Sequence, residues 1–165
     1  ISMAWKQSFR VVHGGQGIAT TSTSQEQDLG SIVQAWDSTY LTGEFIYLKG
    51  VASTVVGSFV TYNLKDCTTA LLVANAIGPV AVSMSINVAS SYGWYQISGT
   101  AVGKAKTGFA DNAAVYGTST AGSIDDAVVA GDRVHNAKGA SAVDDPSSTL
   151  AKFELNRPHT DDIAD

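Results

Sequence analysis

Six aspartates stand in three adjacent pairs, Asp125-Asp126, Asp144-Asp145 and Asp161-Asp162, and the three histidines stand apart, at His13, His135 and His159. Two carboxylates can hydrolyse a glycosidic bond, but only when they are buried and held on opposite sides of a substrate cleft. These pairs lie beside turn residues, in GSIDDAVVAGD, VDDPSS and RPHTDDIAD, which predicts solvated turns. Asp125, Asp126 and Asp132 suit calcium better than catalysis, yet the glycine-spaced acidic ladder of an EF-hand is missing. No H-x-x-x-H spacing joins the histidines, and Cys67 is the sole cysteine, so no zinc site is expected. RVVHGGQGIAT contains G-x-G, but ATTSTSQEQ follows where a dinucleotide fingerprint needs an apolar helix to meet the phosphate. HGG has the form of an esterase oxyanion loop without the G-x-S-x-G elbow that must accompany it. The expectation is a non-enzyme with no catalytic residue, no metal and no cofactor.

YGWYQ offers a different chemistry. Tyr92, Trp94 and Tyr95 could stack on sugar rings if exposed. The alternative is that Trp94 or Tyr95 enters a core while the other covers a sheet edge. A carbohydrate-binding or host-adhesion module is therefore one reading of the chain, and an interface is the other.

The framework that must carry these residues is 165 residues long, enough for one domain. Only 15% of residues are charged, so Ser, Thr, Asn, Gly and Ala must cover much of the surface. Net charge is −5, with Lys6 and Arg10 near the start and ten acids against four bases in residues 109–165. No window gathers the basic patch a nucleic-acid binder needs, and the acidic half disfavours anionic membranes. A lone cysteine forms no intrachain disulfide and fits synthesis in a reducing cytoplasm; Cys67 reads as a small buried or turn residue. No apolar run is long enough for a membrane span, and ISMAWKQSFRVV lacks the h-region of a signal peptide.

Three regions are expected. Residues 1–28 carry aromatic anchors on a strap rich in Gly, Ser, Thr and Gln, which predicts an extended arm that is mobile by itself. Residues 29–158 form the domain, and 159–165 an acidic tail. Within the domain, strands are expected over 31–36, 43–50, 58–63, 80–88, 94–98, 100–106, 113–117, 133–139 and 150–156. Glycines at short intervals supply the turns. Residues 64–79 fit either a helix capped by Asp66 or a short strand at 70–73, and the strand is preferred. No dozen residues show helical periodicity, so the fold class is all-β: a single sandwich or small barrel of roughly eight to ten short strands.

Over 80–88 the alternation is regular: Val80, Val82, Met84, Ile86 and Val88 point one way, and Ala81, Ser83, Ser85 and Asn87 the other. The first set predicts core. The second is small and uncharged, cheap to desolvate, and predicts a face that another chain can approach closely.

The order of features over residues 29–158 resembles the small β-barrel decoration, or cement, proteins on the capsids of tailed bacteriophages. GEFIYLKGVAS, GPVAVSMSINVASSYGWYQISGTAV, AAVYGTSTAGSIDDA, RVHNAKGASA and LAKFELNRP carry it. The resemblance implies a virion protein made in the host cytoplasm that binds the outer capsid surface and joins neighbouring capsomers against the pressure of packaged DNA. Its partners would be the major capsid protein and further copies of itself, as dimer or trimer, with neither nucleic acid nor membrane. The expected interface comprises Trp5, Lys6, Phe9 and Arg10 on the arm. On the domain it comprises Ala81, Ser83, Ser85, Asn87, Tyr92, Trp94 and Tyr95.

Overall fold

A computed structural model describes residues 6–7, 15–143 and 149–164. Every regular element among them is a strand. In order these are β1 (Lys6–Gln7), β2 (Thr21–Ser22), β3 (Ile32–Asp37), β4 (Leu41–Lys49), β5 (Phe59–Tyr62) and β6 (Thr69–Leu71). Then follow β7 (Gly78–Ser83), β8 (Tyr92–Lys104), β9 (Ala114–Gly117), β10 (Ile124–Asp125), β11 (Arg133–Gly139) and β12 (Leu150–Thr160). Three of the twelve, β1, β2 and β10, are two-residue strands, which leaves nine longer ones. Asp66 caps no helix: its Oδ1 accepts from the amide and hydroxyl of Thr68, closing the turn before β6. Those bonds to the ionised form hold its pKa below the usual value.

The strands join one antiparallel sheet, and β8 organises it. Its first half lies between β4 and β7, with Tyr95 opposite both Ile46 and Ser83. Its second half leaves both and pairs with β12, Ala101 opposite Phe153. Gly99, at φ 93°, marks the changeover. A side chain there would strike the Thr42 carbonyl, and only glycine takes the conformation without strain. Two single bridges then curl each half back on itself. Lys49 meets Thr68, bringing β6 to the end of β4, and Ala105 meets Ile124, bringing β10 to the end of β8.

This doubling explains why several strands lack a clean polar face. β7 has Val80 and Val82 in one core and Ala81 in the other. β5 divides likewise, Phe59 to one side and Val60 to the other. β4 sends Ile46 and Leu48 to the second core, and Phe45 and Tyr47 to a third cluster with Trp94, Met84, Ala35 and Ile18. β12 keeps the expected simple alternation, with Ala151, Phe153 and Leu155 buried and Lys152, Glu154 and Asn156 exposed. Cys67 is buried in the turn between β5 and β6 at φ 57°, against Gly30.

Candidate functional site

The face expected to meet another chain lies inside the fold. Ala81, Ser83, Ser85 and Asn87 are all 3% exposed or less. β7 ends at Ser83, and the Asn87 amide then bonds back to the Ser85 carbonyl in a three-residue turn. Past that turn the odd-numbered phase stays buried while the even-numbered phase leaves the core. Asn87 goes in, and Ile86 and Val88, expected in the core, come out. Inside, Asn87 Nδ2 donates to the Tyr95 hydroxyl at 2.9 Å, and Ser83 Oγ donates to the Ser85 carbonyl at 2.7 Å. Burial pushes the Tyr95 phenol up, only partly offset by hydrogen bonds from Thr69, Asn87, Ser83 and Thr54. The small polar residues are the lining of this buried cluster, so they offer no docking surface on the folded chain.

Trp94 and Tyr95 are both buried, at 1% and 0% exposure, so neither can stack on a sugar from solution. They point to opposite sides of β8, each into its own cluster, because both faces of this strand are covered. Tyr92 is half-buried and lies 6.4 Å from Tyr47, nearly parallel to it.

The cover over Trp94 is part of the expected arm. Residues 15–22 dock on their own domain. Gln16 Nε2 donates to the carbonyls of Thr20 and Tyr92, its Oε1 accepts from the Tyr47 hydroxyl at 2.6 Å, and its own carbonyl accepts from Trp94 Nε1 at 2.9 Å. Ile18 fills the gap between the rings, and β2 pairs with β8. Two buried aromatic polar atoms require partners, and Gln16 supplies both. The expectation of a free strap is thus corrected for these residues. Lys6 lies in β1, opposite Trp36 of β3. Trp5, Phe9 and Arg10 lie outside the described residues, as do Asp144 and Asp145.

Asp125, Asp126 and Asp132 are held by backbone amides. Asp126 Oδ2 accepts from the Ala110 amide, Asp125 Oδ1 from the Asp126 amide, and Asp132 Oδ1 from the Asn75 amide. Among the described residues no three His, Cys, Asp or Glu side chains converge as metal ligands, and no helix is long and apolar enough to cross a membrane.

What the surface does present is a band of apolar side chains on the flank of β3–β4 and β5–β7. Ile32 and Trp36, both 45% exposed, share a face of β3 with Gln34. Gln34 is opposite Glu44, whose Oε2 accepts from Arg157 Nη2 at 3.4 Å. The charge of Arg157 in turn bears on the half-buried Tyr62, whose phenol burial pushes up. Tyr62 lines a shallow hollow of about 390 Å³ with Thr69, Leu64, Ile77 and Pro79, in which Leu64 and Ile77 are 75% and 70% exposed. An indole, aliphatic side chains and the Glu44–Arg157 pair thus reach solvent on these strands, with Lys65 and Asp66 exposed beside Leu64. Sequence reading missed the band because Ile32 and Trp36 fall in SIVQAW, where apolar residues fill both phases of the strand. Compared with known protein families, curated proteins and solved structures, the chain matches none.

Proposed function

We propose that this protein is a non-enzymatic structural component of a virion. It binds the outer surface of a tailed-phage capsid, touches the major capsid protein and other copies of itself, and cements neighbouring capsomers against internal DNA pressure. The observation that carries this reading is the exposed band running from Ile32 and Trp36, past the Glu44–Arg157 pair, to Tyr62, Leu64 and Ile77. Soluble monomers rarely leave such side chains together without a partner. Trp, Tyr and Arg are also the residues that concentrate binding energy at interfaces.

The sequence resemblance over residues 29–158 supplies the kind of partner. A shell offers many equivalent sites, so modest contacts made by several copies add through effective concentration. A domain with both faces of its central strands buried suits a load-bearing clamp, because its interior does not rearrange on binding.

Co-sedimentation of the purified protein with mature and precursor capsids of the phage that encodes it tests the proposal. Saturable binding to expanded shells, with a rise in their thermal resistance, is the expected result. Absence of binding to either shell overturns it.

A further inference from the structure

Four successive apolar residues, Ala127, Val128, Val129 and Ala130, are exposed in the loop between β10 and β11, Val128 at 79%. A run of that length facing water does nothing for the fold and marks a contact. The loop is pinned at both ends. Asp126 Oδ2, before it, accepts from the Ala110 amide at 2.9 Å. After it, the Asp132 amide donates to the Val129 carbonyl at 3.1 Å and the Asp132 carbonyl accepts from the Gly117 amide at 2.7 Å. The buried Asp132 carboxylate accepts from the Asn75 amide. The valines are therefore held out as a fixed knob. Beside them lies a hollow of about 140 Å³, whose other walls are Tyr116, Ala130, Gly131 and Arg133.

A knob and a hollow side by side are what a two-fold contact requires, because each copy must offer both halves. Charge gives the orientation. The loop is uncharged from Ala127 to Gly131, with Asp126 on one side and the exposed Arg133 on the other. Across a two-fold axis the two chains run in opposite directions, so the start of one loop meets the end of the other. The register that sets Asp126 opposite Arg133 of a second copy also sets Val129 opposite Ala130, and Val128 opposite Gly131 in the wall of the hollow. Shape and charge thus select the same arrangement.

We propose that this loop is a two-fold contact between copies of the protein, in which Val128 of each copy fills the hollow of the other and Asp126 of each pairs with Arg133 of the other. One loop buries less than the about 800 Å² per partner of a standard interface. The contact is therefore weak between free copies and adds up where a surface gathers many of them. The inference deepens the self-association in the proposed function and rests on that reading for its purpose. Its test contains no capsid, so its failure is distinguishable from a failure of shell adhesion.

Sedimentation equilibrium of the full chain is run up to about 1 mM, where a contact with a Kd of that order is substantially filled. The samples are wild type, Val128→Asp, Asp126→Arg and Arg133→Asp, each with its melting curve. A monomer–dimer equilibrium is expected for wild type, with association at least roughly tenfold weaker in each variant. Asp126→Arg sets cation against cation across the axis, and Arg133→Asp sets acid against acid. An equimolar mixture of these two variants restores both ion pairs, so its association recovers, which misfolded chains cannot do. A wild type that stays monomeric or forms trimers, unchanged association in Val128→Asp, or no recovery in the mixture overturns the proposal. If wild type is monomeric and Val128→Asp instead loses capsid binding, the knob meets the shell, and the proposal is overturned in that way too.

Discussion

Around Phe153 the interior is dry. Phe59 meets its ring edge-on at 5.1 Å and Phe109 lies tilted at 5.2 Å, with Val80, Val82, Ile124 and Val134 filling the rest. Around Tyr95, on the other side of β7, apolar Ile46, Leu48, Val60 and Ile97 share the space with a hydroxyl and its polar partners. Shape specifies the first half, since close-packed rings tolerate little change in volume. Donors and acceptors specify the second, since a buried polar group is costly unless paired. A strand lining a polar interior carries the same residues as a strand facing a partner.

The largest effect that bears on this contrast is expected from Phe153→Ala. It should cost about 3–5 kcal/mol, measured by urea unfolding, because the surrounding rings cannot collapse into the gap. A cost below about 1 kcal/mol would mean that the dry half is plastic.

Tyr95→Phe comes next, at about 1–3 kcal/mol, because Asn87 Nδ2 loses its 2.9 Å acceptor and keeps only the Leu48 carbonyl at 3.4 Å. It also has a pH signature. The folded phenol is raised above its ordinary value of 10.0, so the unfolded chain loses that proton first on alkalinisation. The contribution of Tyr95 is therefore complete below that pH and is lost as pH rises through the folded value. Tyr95→Phe should reduce the alkaline slope of stability without abolishing it, since burial also raises Tyr47 and Tyr62. An unchanged slope would remove Tyr95 from the account.

Gln16→Ala is smaller still, about 1–2 kcal/mol, and local. It takes a partner from the Tyr47 hydroxyl and loosens the strap over Trp94. Acrylamide should then quench more of the tryptophan fluorescence while the unfolding midpoint moves little. Quenching identical to wild type would show that Ile18 and the β2–β8 pairing hold the strap without it.

The strand framework was legible because glycine-bounded, β-branched runs such as GEFIYLKG and RVHNAKG leave few alternatives. LAKFELN was legible in detail because β12 has a wet face. The inward turn of Asn87 was not, because it depends on a local backbone bond and on space beneath Tyr95. Nor was the docking of Gln16: its partners are Tyr47 and Trp94, distant in sequence, and only the sheet brings them together. The pairing of His135 with His159 was hidden for the same reason.

Trp36→Ala should have the least effect on folding, within about 0.5 kcal/mol, since half of the indole is already in water. It is nonetheless the most direct test of the adhesive band. The measurement is the fraction of Trp36→Ala/Ile77→Ser protein that co-sediments with expanded capsids, beside wild type at matched concentration. Folded protein with binding reduced at least roughly tenfold is the expected result. Wild-type binding by the folded double variant would contradict the placement of the interface on this flank.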